Sequence, residues 1–417
     1  MIGTAVLGLA RLFLIAVLAV IQFFWSARRS RRLREPYRGS IEVLVPAYNE
    51  EKIICRTVEA LLAARTLGAP PQVVVIDDGS RDRTSEVLRE RFADEPRVTV
   101  LRKENGGKAA ALNYGIVRST ADVIVAIDGD TILLPDAIER LTRSFFDPRV
   151  GAVAGSVVVG NKLNLMTRFQ ALEYVTSQNL DRRAFELFNA TSVVPGAIGA
   201  WRRQALIGVG GFARDTLAED ADLTFAVQMQ GWRVLNEPSA LALTEAPETL
   251  RAFMKQRFRW MFGTLQVACK HVGALIRRPT GLTFIAIPNI FLFQMLFTLL
   301  APIVDVFLLW TVLGGFYFVL PNQTETVLLV GKYWLVFQAA DCMGAVLAIL
   351  LSGKGKSGYW RLVPLLLLQR FTYRQLLYVT AIRSLLAAIK GTLVGWGKLV
   401  RTGNVLDSAW SSRNRRA

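Results

Sequence analysis

The apolar residues of the chain follow two different patterns. Long runs occur from Val6 to Trp25 and again beyond residue 280, and each has about the 20 residues that a membrane-spanning helix needs. Between them, from Ser40 to about Glu245, short β-rich runs alternate with stretches of helical periodicity. Such alternation predicts an α/β domain with a mostly parallel sheet. The pattern therefore predicts one α/β domain attached to α-helical membrane segments.

Two predicted strands of this domain end in closely spaced carboxylates, which belong to Asp77, Asp78, Asp128 and Asp130. The carboxyl ends of parallel strands lie at one edge of a sheet, where open α/β folds bind ligands. Carboxylate oxygens suit Mg²⁺ or Mn²⁺, which usually bind one or two carboxylates plus substrate phosphates. Asp and Gly are equally ordinary in a strand-to-loop turn, so both a turn and a metal site stay open at Asp128-Gly-Asp130.

Two predicted helix starts carry further candidate groups. Asn105-Gly-Gly-Lys108 opens a helix, so its glycine amides and the Lys108 ammonium are candidates to face phosphates; an exposed lysine is the alternative. Glu219, Asp220 and Asp222 crowd another helix start, where the helix dipole alone would favour them. Because the chain has one histidine, a carboxylate of this group is the candidate general base.

The segment from Arg251 to Gly263 interleaves basic and apolar residues at helical spacing, which predicts an amphipathic helix on the membrane surface. Gln256, Arg259 and Trp260 fall on one side of it. Arginine can neutralise a diphosphate, and tryptophan can stack on a sugar ring. A nucleic-acid surface also mixes arginine with aromatic residues, but the membrane run that begins soon afterwards favours lipid.

Composition narrows the class of protein. Hydrophobic residues make up 52% of the chain, and 50 lysines and arginines against 33 acidic residues give a formal net charge of +17. The arginines that directly follow the first apolar run predict an external amino terminus and a cytoplasmic domain. Three cysteines without a CxxC pair support neither a disulfide framework nor a thiolate metal site. A lone histidine argues against a histidine-based triad or a multi-histidine metal site.

The carboxyl-terminal part contains two predicted spans, Leu282–Leu309 and Val327–Leu351. A third segment, Leu362–Ile389, stays open between a span and an interfacial helix, because its three arginines are costly in lipid. The polar residues of the two spans are explained by interhelical hydrogen bonds, which we favour, or by the lining of a glycan path. These residues are Asn289, Asp305 and Asp341.

The motifs together resemble the membrane-embedded, processive family 2 glycosyltransferases, which include the synthases of poly-N-acetylglucosamine, hyaluronan, chitin and cellulose. The motifs are DDGS at 77–80, NGGK at 105–108, DGD at 128–130, ED at 219–220 and QRFRW at 256–260. The resemblance covers roughly Ile41 to Gly263. The chain departs from the family in having one span before the domain and Ala218 where a threonine is usual. The resemblance implies a GT-A fold, a nucleotide-binding α/β sheet.

The resemblance also implies roles for particular residues. Asp77 or Asp78 would hold the uridine, Lys108 would face the phosphates, and Asp220, with Glu219 beside it, would be the catalytic base. Asp128 and Asp130 would place Mg²⁺ or Mn²⁺ on the diphosphate. Gln256, Arg259 and Trp260 would form the family's QxxRW box, with Trp260 beneath the acceptor sugar and Arg259 near the diphosphate. The segment Gly395–Gly403 resembles the tryptophan-glycine gating segment of hyaluronan-type synthases.

We therefore expect an inverting, processive transferase that adds sugars from UDP-N-acetylglucosamine or UDP-glucose to a β-linked polysaccharide and helps translocate it. The alternatives are a single-transfer polyprenyl-phosphate glycosyltransferase and a non-catalytic membrane scaffold or transporter subunit. Expected partners are the UDP-sugar, the growing polysaccharide, the lipid bilayer and accessory or export subunits, but not nucleic acid. The expected location is the plasma (inner) membrane, with several spans and a cytoplasmic catalytic domain.

The expected organisation is an N-terminal transmembrane helix at 1–26, a basic linker at 27–39, the GT-A domain at 40–248, an amphipathic interfacial helix at 249–278, transmembrane or interfacial helices at 279–390 and a basic cytoplasmic tail at 391–417.

Overall fold

A computed structural model describes residues 2–32, 37–66, 68, 70–277, 280–317 and 323–390. The strands are β1 (Ile41–Ala47), β2 (Gln72–Asp77), β3 (Val98–Arg102), β4 (Val123–Ala126), β5 (Ile132–Leu133), β6 (Val150–Val159), β7 (Gly199–Arg202) and β8 (Arg233–Thr244). The helices of the amino-terminal part and the α/β domain are α1 (Ile2–Arg32), α2 (Ile54–Leu62), α3 (Thr84–Arg91), α4 (Lys108–Arg118), α5 (Ala137–Thr142), α6 (Leu165–Asn179), α7 (Asp181–Glu186), α8 (Arg203–Val209) and α9 (Glu219–Met229). Those that follow are α10 (Leu250–His271), α11 (Ala274–Arg277), α12 (Ile287–Asn289), α13 (Phe297–Tyr317), α14 (Gln323–Leu351), α15 (Leu366–Gln369) and α16 (Tyr373–Ile389).

The strands form one sheet in the order β3-β2-β1-β4-β7-β6-β8-β5. β3, β2, β1 and β4 pair in parallel, as do β6 and β8, whereas β7 runs antiparallel to both neighbours and β5 is antiparallel to β8. The prediction of a mostly parallel α/β sheet is confirmed. Because β1, β2 and β4 point the same way, their carboxyl ends deliver Asn49, Asp78 and Asp128 to one edge.

Alternation along β1 explains why the sheet is covered on both faces. Val43 and Val45 join one buried cluster, which contains α2 and α5, while Leu44 between them joins the cluster on the opposite face with α4. Successive side chains of a strand point to opposite faces, so a continuous apolar run is the sequence expected for a strand with helices on both sides. The helices in turn fix the loops at the carboxyl edge.

Within the described residues, three helices are long and apolar enough to cross a membrane, namely Val6–Arg29, Leu282–Thr311 and Gly331–Leu351. They coincide with the three spans predicted from the sequence. The segment Leu362–Ile389 provides no further candidate of this kind among the described residues. It forms the end of a 3₁₀ helix, then α15, then α16, which packs on α10 and α13. The tail from residue 391, which includes the segment Gly395–Gly403, lies outside the described residues.

Polar residues of the candidate spans bond to partners on other elements. Asp305 accepts from Arg370 at 2.7 Å, and Asp341 accepts from Arg374 at 2.7 Å. Asn289 accepts from Arg11 of the first span at 3.0 Å. Interhelical bonding, the interpretation we favoured, therefore accounts for all three polar residues. It also explains how Arg11, Arg370 and Arg374 are accommodated, since each of them has a carboxylate or amide partner.

The first candidate span is attached to the α/β domain through α7. Arg11 forms an ion pair with Asp181 at 2.6 Å, and Arg29 forms one with Glu186 at 2.7 Å. Ile15 and Ala19 of α1 share a buried cluster with residues of α7, α9, α10 and α14. The helix that begins at Glu219 is thus held by the same core that anchors the candidate membrane helices.

Candidate active site

The turn after β2 uses both of its carboxylates within the protein. Asp77 is fully buried and accepts from the Ser80 amide at 2.8 Å and from the Ser85 hydroxyl. Asp78 accepts from Lys103 Nζ at 2.6 Å and from the backbone amides of the glycine pair that precedes Lys108, at 3.0 and 2.7 Å. Buried carboxylates require such donors, because an unpaired charge is costly away from water.

This arrangement changes the predicted role of the Gly106-Gly107 amides. The sequence makes them candidates to face phosphates, but in this structure both donate to the Asp78 carboxylate. The turn after β2 and the loop before α4 meet at the same sheet edge, so Asp78 lies within reach of both amides. Gly107 has a φ of +86° and a ψ of 167°, a conformation open almost only to glycine. The loop therefore holds the start of α4, and Lys108 with it, in a defined position.

Lys108 connects the end of β4 to the start of α9. Its Nζ lies 2.5 Å from Asp128 Oδ1 and 3.3 Å from Glu219 Oε1. Burial acts to lower the pKa of Lys108, but the charges of Asp128, Glu219 and Asp220 outweigh it and raise that pKa above its usual value. Gly196 leaves room for this group, because a Cβ there would displace Lys108 Nζ. The result is a charged ammonium surrounded by carboxylates.

The three acidic residues at the start of α9 have different surroundings. Glu219 is buried, and burial together with the charges of Asp220 and Asp128 raises its pKa despite the opposing charge of Lys108. Asp220 accepts from the Gly196 amide at 3.1 Å and from its neighbour's amide at 2.9 Å. Asp222 is buried and accepts from Lys270 and His271, both at 2.7 Å. Asp222 therefore anchors α10, which leaves Glu219 and Asp220 at the carboxylate cluster.

The pair of Asp222 with α10 predicts a pH-dependent loss of stability. Burial acts to raise the pKa of Asp222, but hydrogen bonds from His271 and Lys270 outweigh it and hold that pKa below its usual value. A depressed carboxylate pKa contributes stability above the unfolded value, about 3.9, that is lost as the pH falls through the folded value. Asp222→Asn should lower stability by about 1–3 kcal/mol at neutral pH. The difference in stability between this variant and the wild type should shrink only below about pH 4.

Thermal unfolding followed by fluorescence from neutral to acidic pH measures this effect. Asp215→Asn is the matched control, since Asp215 also bonds Lys270, at 2.8 Å, but is largely exposed. Equal destabilisation by the two substitutions at neutral pH would contradict the role of Asp222.

Asp128-Gly-Asp130 forms a turn, closed by the Thr131 amide, which donates to the Asp128 carbonyl at 3.0 Å. Asp130 is 5% exposed, whereas the Asp128 side chain is 31% exposed. No group of three or more histidine, cysteine, aspartate or glutamate side chains arranged to hold a metal occurs in the described part of the chain. Two carboxylates nevertheless fit a divalent ion whose other ligands are phosphates and water. The Lys108 ammonium contacts Asp128 Oδ1, so a bound ion would share the Asp128 carboxylate with this lysine.

The QRFRW segment lies on α10, which packs directly against the start of α9. A Cβ at Gly263 would lie 2.8 Å from Ala218, the residue before Glu219, and the Leu217 amide donates to Gln266 Oε1 at 3.0 Å. Gln256 is buried, Arg259 is half-buried and Trp260 is 38% exposed. Ala218, the departure from the usual threonine, thus lies at a close helix contact rather than among the charged groups.

Comparison with known proteins agrees with this geometry. A family model described as "Glycosyltransferase like family 2" matches residues 38–263, more than half of the chain. The chain belongs to glycosyltransferase family 2. The predicted family is therefore confirmed, and with it the class of enzyme.

Two relatives of this family 2 glycosyltransferase have similar sequences. A poly-β-1,6-N-acetyl-D-glucosamine synthase of Staphylococcus aureus (strain COL) is 32% identical over 228 residues, which are 54% of this chain and 55% of the relative. An N-acetylglucosaminyltransferase of Rhizobium leguminosarum bv. viciae is 32% identical over 239 residues, or 54% of this chain and 56% of the relative. The chain spans about half the length of the curated relatives it matches.

A solved structure confirms the GT-A type of fold. It is a mannosyltransferase from Pyrobaculum calidifontis in complex with GDP-Man and Mn²⁺, with a TM-score of 0.51 and 19% identity, and the match covers 90% of this chain and 98% of that one. Identity at this level supports the fold alone. The roles of individual residues in the family 2 site remain predictions from their positions.

Sequence reasoning missed several contacts of this glycosyltransferase that join distant residues. His271 and Lys270 bond to Asp222, 49 and 48 positions away. Arg257 lies inside the QRFRW segment but bonds to Glu173 of α6 and to Tyr373 of α16. Neither pairing has a signal in local spacing, although a charged residue on the apolar side of an amphipathic helix, as Arg257 is, indicates a buried partner.

Proposed function

We propose that this glycosyltransferase transfers a hexose or N-acetylhexosamine from a UDP-sugar to the end of a growing β-linked polysaccharide, with inversion at the anomeric carbon. The observation that carries the proposal is Lys108, whose ammonium joins Asp128 at the strand edge to Glu219 beside Asp220. It connects the side of the site suited to a diphosphate with the side suited to a base. The names of the two relatives, both N-acetylglucosamine enzymes, support an N-acetylhexosamine as the sugar.

The donor nucleotide would bind along the carboxyl edge of the sheet. We place the uridine against the turn of Asp77 and Asp78. The Ser80 amide bonds to Asp77, and the amides of the loop before α4 bond to Asp78, so the position of this turn is fixed. Lys108 and Arg259 would face the diphosphate, where two cations favour a leaving group that gains negative charge. Lys108 is already held at this edge of the sheet by its contacts with Asp128 and Glu219.

A divalent cation, Mg²⁺ or Mn²⁺, would bind Asp128 and Asp130 and would neutralise the departing diphosphate. The similar mannosyltransferase structure contains Mn²⁺, which supports a divalent ion of this kind. The half-buried Asp128 and the buried Asp130 would supply hard carboxylate oxygens to the ion, and phosphate oxygens would supply further ligands. Release of Lys108 from Asp128 toward the diphosphate would accompany donor binding.

Asp220 would act as the general base. Its carboxylate accepts two backbone amides, which orient it beside the Lys108 ammonium. Glu219, whose pKa is raised by burial, is the poorer candidate for an ionised base. Inversion requires the acceptor hydroxyl to lose its proton as it attacks from the face opposite the leaving group. Trp260, exposed over part of its ring, would support the acceptor sugar.

The candidate membrane helices suggest where the polymer goes. We propose that the α/β domain is cytoplasmic in the plasma membrane and that the helices around α10 accept the polymer for translocation, with accessory or export subunits as candidate partners. The junction of α9, α10 and the candidate spans in one buried cluster supports such a path, since it places the acidic helix next to the membrane segments.

The deciding experiment supplies purified protein in nanodiscs with a panel of UDP-sugars and with GDP-mannose as a comparison donor, followed by product analysis. We expect metal-dependent release of UDP and a polymer from UDP-N-acetylglucosamine or UDP-glucose. A single sugar on a polyprenyl phosphate would instead support the lipid-glycosylating alternative. Absence of metal-dependent nucleotide release with every donor would overturn the proposal.

A further inference from the structure

Three polar side chains from distant parts of the chain meet beside the exposed ring of Trp260. Arg257 on α10 is 5% exposed, and its Nη2 donates to Glu173 Oε2 at 2.8 Å and to the Tyr373 hydroxyl at 3.2 Å. The Tyr373 hydroxyl donates to the same glutamate oxygen. The three residues lie on α10, α6 and α16, so each bond joins two different helices. We name this group the Arg257 cluster.

Arg257 of this cluster and Tyr174, the residue after Glu173, both contact Trp260. The guanidinium carbon of Arg257 lies 4.5 Å from the centroid of the indole ring, within the range of a cation–π contact. Tyr174, next to Glu173 in α6, has its ring centroid 6.1 Å from that of Trp260, at an interplanar angle of 35°. Arg257 and Tyr174 therefore support Trp260, a residue that is 38% exposed.

The same cluster is attached to the candidate membrane helices. Tyr373 begins α16, and the neighbouring Arg370 and Arg374 form the ion pairs with Asp305 of α13 and Asp341 of α14. The five consecutive residues 370–374 thus include one member of the Arg257 cluster and two arginines that are paired with candidate membrane helices. The start of α16 therefore connects the Arg257 cluster to α13 and α14.

Stability alone does not explain a buried ion pair at this place. A buried pair pays a desolvation cost that often equals its attraction, so apolar residues of the same volume would hold the helices as well. What the pair adds is directional bonding, because one guanidinium nitrogen bonds to oxygens on two other helices and so fixes the geometry of three helices at once. The neighbouring ring that this geometry fixes is Trp260.

We propose that Glu173, Arg257 and Tyr373 are positioning residues that set the orientation of Trp260 and align it with α13 and α14, and so determine how firmly the acceptor end of the polymer is retained. The inference rests on the proposed function, since it takes Trp260 as the support of the acceptor sugar. It predicts a selective effect on the acceptor, because the contacts of the cluster leave the carboxylate edge of the sheet untouched.

Tyr373→Phe is the mildest test, because it removes one hydroxyl and keeps the ring contacts with Phe169 and Phe253, at 5.3 and 5.2 Å. Glu173→Gln keeps the shape of the side chain and removes its charge. With the full chain in nanodiscs, initial rates are measured against an oligosaccharide of the sugar that the wild type polymerises, and separately against the donor. Both variants should raise the acceptor KM about tenfold, with the donor KM within about twofold, and should shorten the polymer.

The matched control is Arg251→Met compared with Arg257→Met, two substitutions on the same helix, since Arg251 is exposed. Only the Arg257 variant should weaken acceptor use. Unchanged acceptor KM in both Tyr373→Phe and Glu173→Gln would overturn the assignment, as would an equal loss for donor and acceptor, which indicates a purely structural role. If the wild type showed no acceptor-dependent transfer, the proposed function itself would fail, and this assignment with it.

Discussion

Replacing Asp220 by asparagine is expected to lower the rate of sugar transfer about 10³-fold while leaving donor binding within about twofold. The carboxylate is the proposed proton acceptor for the attacking hydroxyl. An amide has nearly the same shape but does not accept that proton at neutral pH. The loss would therefore appear in the chemical step rather than in the affinity for the nucleotide sugar.

The surroundings of Asp220 make this substitution conservative in structure. Its two oxygens accept the Gly196 and Ala221 amides, and the one carbonyl oxygen of asparagine can keep one of these bonds. Lys108 retains its direct contacts with Asp128 and Glu219. The fold of the site should thus persist in the variant, so that a loss of activity reports on the proton acceptor.

The rate of sugar transfer is measured as the initial rate of polymer formation. The affinity for the donor is measured by isothermal titration, and both measurements use saturating metal. Asp215→Asn serves as the control, since it removes a largely exposed carboxylate five positions earlier in the same segment. It should retain transfer close to wild type. Polymer formation at the wild-type rate by the Asp220→Asn variant would exclude Asp220 as the base. Glu219 would then be the next candidate.

Local patterns were sufficient to predict the part of the fold on which the site is built. A strand with helices on both faces is apolar through most of its length, so β1, β2 and β4 could be recognised by runs of three or more apolar residues. Parallel pairing then brings the residues after these strands to one edge, whatever their distance in sequence. This is why Asp78 and Asp128 could be assigned to one edge before any coordinate was known.

Contacts between distant segments could not be predicted in the same way. The pairing of Asp78 with the amides before Lys108 depends on how two loops meet, and each loop sequence alone is compatible with several arrangements. Tyr373 and Glu173 are 200 positions apart, and a single tyrosine at the start of a helix gives no indication of its partner. Leu362–Ile389 was left open for a related reason, since the cost of its arginines depends on whether Asp305 and Asp341 are near.

Replacing Asp130 by asparagine is expected to lower metal-dependent transfer about 100-fold, because a bound cation contributes several kcal/mol to a charged transition state. Asp130 is buried at the carboxyl end of β4, and asparagine offers one neutral oxygen in place of a charged carboxylate. The concentration of Mg²⁺ or Mn²⁺ that gives half-maximal activity should rise about tenfold. Asp128→Asn should show the same shift and should also lower the pKa of Lys108, which the Asp128 charge now raises.

The control for both variants lies at the opposite end of the same strand. Asp122 precedes β4 and accepts from the Ser40 amide and hydroxyl, each at 2.9 Å, contacts that an asparagine oxygen can also make. Asp122→Asn removes one carboxylate from the domain but none from the edge that we assign to the metal. Titration of activity with Mg²⁺ and Mn²⁺, together with metal-dependent binding of the UDP-sugar, should therefore separate Asp128 and Asp130 from Asp122. Identical metal titrations for all three variants would show that the ion is held elsewhere, and the turn after β4 would then have no role in metal binding.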